Sequence, residues 1–178
     1  GPPNTPFHGG FGLMNVQGLR KPAFFAYKFL ADLYEQEVPV SSSRLIATKD
    51  RSNVRLLLWD YSPPKADAPN NPFYTRDIRP EPKPAAVIEL SGMAPGTYRV
   101  SKTGTGWKRN DVYGAYLDLG KPTGNGAFVP DDVFAKLNSA AAGKPEALAD
   151  LVVDRSGKAK IVLPMRANDV WLVSLERE

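Results

Sequence analysis

Between Pro22 and Glu37 apolar residues recur at helical spacing: Phe24, Phe25, Tyr27, Phe29, Leu30, Leu33 and Tyr34, with Pro22 suited to a first turn. Polar positions are few there (Lys28 and Asp32, then Glu35, Gln36 and Glu37), so the apolar surface wraps beyond the stripe of an ordinary surface helix. Such a helix demands burial on more than one side. After Pro39 the period changes to that of strands. "SRLIAT" and "NVRLLLWDY" flank a short polar "KDRS" and predict a hairpin; the unbroken run Leu56-Leu57-Leu58-Trp59 predicts a strand covered on both faces.

Seven prolines between Pro63 and Pro84 predict a semi-rigid excursion without regular ladders. "AAVIEL" and "GTYRVSK" then flank a Pro95-Gly96 turn. "NDVYGAYLDLG" reads as a short helix capped by Asn110 or Asp111 and closed by Gly120. "PDDVFAKLNSAAAG" reads as another, with Asp131 and Asp132 at its positive end and Gly143 beyond its last turn. "LVVDRSGKAKIVLP" suggests a hairpin around Ser156-Gly157, and "DVWLVSLERE" an alternating last strand. Six or seven strands with Pro/Gly-rich turns predict a mainly β fold. Its form is an antiparallel β-sandwich with short inserted helices, preceded by one helix with its own burial demand.

Composition narrows the class. With 42% apolar and 24% charged residues the chain can bury a real core. No apolar run reaches the roughly 18 residues of a membrane span, so no membrane partner is expected. The net charge of +4 comes from scattered, interleaved basic residues, not the clustered stripe a polyanion needs, so no nucleic acid is expected either. The absence of cysteine excludes disulfides and thiolate chemistry and leaves the compartment open.

The candidate chemistry is thin. His8 is the only histidine and cannot build a metal site alone; it either bonds backbone at a bend or lines a pocket with Phe7. "HGGFG" lacks the Gly-x-Gly-x-x-Gly order of a phosphate cradle, and Gly9 and Gly10 suit close backbone approach instead. Asp131-Asp132, Glu35, Glu37, Glu89 and Glu146 form no evident catalytic pair, so no catalytic residue, metal or cofactor is assigned. Trp59 and Trp171 sit in apolar strands and read as core. Trp107, after a glycine-rich turn and before Lys108 and Arg109, is the best candidate for sugar contact, with Tyr113 and Tyr116 nearby.

"PFHGGFGLMNVQGLRKPAFFAYKFLADL" resembles the segment after the last barrel strand of glycoside hydrolase family 39, the β-xylosidases and α-L-iduronidases. "VRLLLWDYSPP", "IELSGMAPGTYRVSKTG", "VYGAYLDLGKP" and "DVWLVSLE" continue the likeness in order, with Asp60 where asparagine is common. The resemblance implies that residues 1–38 correspond to the end of a (β/α)8 barrel, its loop and last helix, and 39–178 to a β-sandwich accessory domain. The family's two catalytic glutamates match no position here. The resemblance therefore implies a non-catalytic part of a retaining, β-xylosidase-like hydrolase, partnered by its own catalytic barrel and inert by itself. Two alternatives stay open: a carbohydrate-binding module for xylan-type sugars through Trp107, Tyr113 and Tyr116, and a homo-oligomerisation domain using the proline-rich loop. Without a barrel, the apolar helix is expected to aggregate, or to repack on the sandwich or a second copy.

Overall fold

The computed structural model describes residues 5–8, 12–63, 65 and 67–178, so Gly9 and Gly10 lie outside the described residues. In chain order the elements are α1 (Pro22–Ala31), β1 (Gln36–Val38), β2 (Leu45–Asp50), β3 (Asn53–Trp59) and α2 (Asn70–Tyr74). They continue with β4 (Pro82–Leu90), β5 (Gly96–Thr105), α3 (Val112–Asp118), α4 (Asp131–Ala140), β6 (Glu146–Ala147), β7 (Leu151–Val153), β8 (Ala159–Arg166) and β9 (Val170–Arg177). Two compact units divide the chain: Gly1–Tyr27, Ser62–Pro80 and Thr105–Gly143 form one; Lys28–Tyr61, Glu81–Gly104 and Lys144–Glu178 the other.

The second unit is a two-layer antiparallel β structure. The larger sheet runs β1-β2-β3-β9-β5-β6, with β7 also paired to β5; the smaller is β4-β8. The hairpin β2–β3 closes in two residues, Asp50 opposite Asn53, with Arg51 at φ 53°. Alternation then decides what faces inward. Leu56 and Leu58 of β3 lie opposite Val173 and Trp171 of β9, while Ile88 of β4 lies opposite Ile161 of β8. These six join Tyr98, Val100, Leu163, Met165 and Leu175 in the core. Leu57 points to the other face of β3 and is buried too, as its unbroken apolar run implies. Val87 opposite Val162, and Glu89 opposite Lys160, form the exposed outer face of the small sheet.

Three short connections carry the chain between sheets. The turn around Pro95-Gly96 joins β4 to β5, strands of different sheets. The segment around Ser156-Gly157 is not a hairpin: β7 pairs with β5 and β8 with β4. The two arches meet, because Met93 N donates to Gly157 O at 3.0 Å. A Cβ at Gly157 would lie 2.9 Å from Met93 O, so only glycine fits the approach. The third arch, between β8 and β9, holds a buried polar knot. Asp169 accepts from Arg166 Nε (3.0 Å), Nη2 (2.9 Å) and backbone N (3.1 Å). Asp60 accepts from Arg44 Nη1 (2.8 Å) and Asn168 N (3.2 Å), and its own N–H donates to Asp169 O (3.0 Å).

Two expectations about element ends need correction. The first helix stops at Ala31, and Gln36–Val38 becomes an edge strand on β2. The cause is tertiary: the Arg55 guanidinium on β3 donates to Asp32 O and lies 4.3 Å from the Tyr34 ring centre, while Tyr34 N donates to Thr48 Oγ1 at 3.0 Å. The proline-rich stretch is not free of ladders, since α2 lies within it and β4 starts at Pro82. A register shift between Lys83 and Ala86 accommodates the prolines on this edge.

The first unit is helical and loop-built. Residues 13–21 form a small hairpin-like turn: Lys21 N donates to Leu13 O (2.8 Å), and Asn15 Oδ1 accepts from Gln17 N (3.0 Å) and Leu19 N (2.9 Å). The Gln17 amide brackets Val129, accepting from its N–H at 2.7 Å and donating to its carbonyl at 3.1 Å. Phe25 packs against Gly143, which has φ +67° and whose N–H donates to Asn110 Oδ1 at 2.8 Å. Along α1, whose last residues belong to the second unit, Phe25 and Phe29 are buried, whereas Tyr27 remains 64% exposed and Leu30 is exposed too.

Candidate functional site

The residues singled out from the sequence converge in the first unit. Asp111 caps α3: its Oδ1 accepts from Gly114 N at 3.0 Å and its Oδ2 from Lys108 N at 3.1 Å. A side chain at 114 would sit 2.5 Å from that carboxylate, so the glycine is required by the cap. The cap fixes the helix start and aims Tyr113 and Tyr116, three residues apart, along one face. Phe7 closes on both, with ring centres 5.6 Å from Tyr113 and 5.0 Å from Tyr116. These are edge and tilted contacts of the kind aromatic quadrupoles favour. Phe7 is buried, Tyr116 is 5% exposed, Tyr113 half-buried, and His8, next in the chain, half-buried.

Trp107 occupies the tight turn Gly106–Arg109, whose ends exchange bonds of 3.0 Å in both directions. Its indole N–H donates to Asp77 Oδ1 at 2.7 Å. Arg79 and Lys108 carry their cations 5.5 and 5.8 Å from its ring centre. Tyr113 OH donates to Thr75 O at 2.6 Å. Alternate residues Thr75, Asp77 and Arg79 are thus held along one side by Tyr113 and Trp107. The aromatics fasten the proline-rich excursion.

The electrostatics fit this packing role. Burial raises the Tyr113 and Tyr116 phenols above their ordinary range. The hydrogen bond to Asp118 raises the Lys108 ammonium, which also donates to Gly114 O at 3.2 Å. Tyr116 is packed among these rings, while Tyr113 and Trp107 are each half-buried.

The remaining candidates are placed as follows. Trp171 is buried in the sandwich core and Trp59 half-buried. Asp132 pairs with Lys136 at 3.4 Å in the first turn of α4, and Glu146 with Lys102 at 3.5 Å. Glu35 and Glu37 are exposed. Among the described residues no group of three His, Cys, Asp or Glu side chains could hold a metal ion, and no helix is long and apolar enough to cross a membrane. The sequence reading missed Thr75, Asp77 and Arg79, whose only local signal is a polar residue at every second position, and the Arg166–Asp169 pair.

No protein-family model matches the chain. Solved structures do. Over its whole length the chain is 38% identical to a GH39 enzyme from Xanthomonas axonopodis pv. citri, at a TM-score of 0.89, and covers 34% of that chain. Over 99% of its length it is 36% identical to a monomeric beta-xylosidase from Caulobacter crescentus, at a TM-score of 0.88, covering 35% of that chain. A curated beta-xylosidase from Caldicellulosiruptor saccharolyticus is 29% identical over 85 residues, 44% of this chain and 16% of that protein. The chain therefore spans about a third of the length of the solved enzymes it resembles. Fold and sequence agree that this chain resembles a region of glycoside hydrolase family 39 enzymes, consistent with the C-terminal part that its opening segment resembles.

Proposed function

We propose that the chain is the non-catalytic accessory region of a retaining, β-xylosidase-like hydrolase, and that it supports a catalytic barrel. In this reading residues 1–38 stand for the barrel's last loop and helix, residues 39–178 for the sandwich domain, and Phe7 and His8 for part of a pocket wall. The observation that carries it is the coverage: all of this chain aligns at 38% identity with only 34% of a GH39 enzyme. The apolar outer side of α1 and the engagement of every candidate aromatic in packing support a scaffold role over a sugar platform. The relative described as monomeric favours support over assembly.

The test pairs two measurements. The pure 178-residue chain is expected to release no nitrophenol from a nitrophenyl β-xyloside. Substituted for the matching third of the Caulobacter enzyme, it is expected to give a soluble, active chimaera. Turnover by the chain alone, or a folded but inactive chimaera, would overturn the proposal.

A further inference from the structure

The loop that Gln17 brackets contains the sequence Gly124-Asn125-Gly126-Ala127-Phe128. Phe128 N donates to Asn125 O at 3.2 Å, and Gly124 N donates to Phe128 O at 3.0 Å. Gly126 has φ +64°, while Ala127 is not among the residues of positive φ. This is a type II′ turn with Asn125 as its first residue and glycine at its first central position. In that geometry the Gly126 N–H turns outward and serves no turn hydrogen bond. Asn125 is exposed, and no side chain branches at residue 126 to screen its Cγ. The electrophile and the nucleophile of an intramolecular cyclisation thus stand side by side in a solvated turn.

We infer that Asn125-Gly126 is a site of spontaneous covalent modification, deamidation through a succinimide. The Gly126 backbone nitrogen loses its proton to base and attacks the Asn125 side-chain carbonyl. A C–N bond forms, the side-chain amide leaves as ammonia, and water opens the ring at either carbonyl to give aspartate or isoaspartate. No oxidant, metal or enzyme is needed. None of the other asparagines precedes glycine: Asn4, Asn15, Asn53, Asn70, Asn71, Asn110, Asn138 and Asn168 precede Thr, Val, Val, Asn, Pro, Asp, Ser and Asp, whose side chains crowd the attacking nitrogen or, at Pro72, leave it without a proton to lose. Several are also held, Asn15 Oδ1 by Gln17 N and Leu19 N, Asn53 Oδ1 by Arg177 N, Asn110 Oδ1 by Gly143 N, and Asn138 Oδ1 by Arg20 Nη2.

The consequence is structural. Isoaspartate adds a methylene to the main chain inside a tight turn, three residues before Phe128, which closes that turn, and four before the Val129 that Gln17 grips at 2.7 and 3.1 Å. The modified chain gains a negative charge and is expected to loosen this bracket.

The folded chain is incubated at mildly alkaline pH and mapped by peptide mass spectrometry, with isoaspartate counted by its methyl-acceptor activity toward isoaspartyl methyltransferase. A urea-unfolded sample runs in parallel. The peptide bearing Asn125 is expected to convert before any other, at a folded rate close to the unfolded one, and Asn125→Gln to remove the methyl-acceptor signal. Earlier conversion at another asparagine, or protection of Asn125 by about tenfold or more in the folded chain, would overturn the inference.

Discussion

The polar knot at the β8–β9 arch contains two buried aspartates that should respond very differently to the same substitution. Asp60 is 8% exposed, but its partner Arg44 is 58% exposed at the side chain. In Asp60→Asn the amide oxygen can keep the Asn168 N–H, and the NH2 then faces Arg44, which can swing into water. The loss is mainly one charge-assisted contact with an exposed partner, about 0.5–1.5 kcal/mol. Asp169 is 1% exposed and receives donors from Arg166 on both oxygens, the backbone N and Nε on Oδ2 and Nη2 on Oδ1. In Asp169→Asn one donor of Arg166 must meet an NH2 where water cannot reach, and the charge that balances the guanidinium is gone. That costs about 2–4 kcal/mol. Urea melts followed by tryptophan fluorescence report directly, since Trp171 is buried two residues away. For a chain of this size each kcal/mol corresponds to about 2–4 °C in Tm. Equal losses, or a larger loss for Asp60→Asn, would refute the argument that solvent access to the partner decides the cost.

Gly143→Ala would place a Cβ 2.8 Å from Phe25 Cε1 at φ +67°, and thermal melts are expected to show a loss of about 1–2 kcal/mol. Tyr113→Phe removes the bond to Thr75 O; a loss of about 0.5–1.5 kcal/mol is expected, with faster amide exchange around residues 75–79. The raised Lys108 and Tyr113 values both give stability that is complete below their unfolded values of 10.5 and 10.0 and lost as pH rises through the folded ones. Stability should therefore fall away only on the alkaline side, where tyrosinate absorbance rises, and Asp118→Asn should bring the loss to lower pH. Trp107→Ala is expected to leave xylo-oligosaccharide titrations as featureless as those of the parent chain, while making residues 62–80 more sensitive to protease; a saturable fluorescence change in the parent that the variant abolishes would restore the sugar platform.

What was legible in the sequence was local. The β2–β3 hairpin follows from two alternating runs and a polar pair between them, and α3 from its Asp111 cap and Gly120 stop. The arches were not legible, because "SGMAPG" and "DRSGK" have the composition of hairpin turns and only the partner strands distinguish a turn within a sheet from a crossing between sheets. The end of α1 was hidden for a similar reason. Leu33 and Tyr34 keep helical phase, but Arg55, more than twenty residues on, takes the Asp32 carbonyl and stacks on Tyr34. At the candidate site Phe7, Tyr113 and Tyr116 were each visible as aromatics, yet nothing in their spacing said that one cluster contains all three.

On the proposed reading, that cluster bears on what the chain could contribute to a reaction carried out by a catalytic barrel. His8 follows directly on Phe7, and Phe7 is seated against two tyrosines of a capped helix. The main chain entering residue 8 is thereby fixed by α3, through apolar contacts that burial of a Phe side chain makes worth about 1.5–3 kcal/mol. If His8 lines a substrate pocket in the proposed enzyme, its position is inherited from Tyr113 and Tyr116 without either tyrosine touching substrate. The sandwich side of the chain carries its own polar lock at Asp60 and Asp169, and the helical side carries this aromatic one. Each holds backbone in place by contacts made far apart in sequence. The proposed role, supplying fixed surfaces to a catalytic barrel, requires rigidity of that kind more than it requires chemistry.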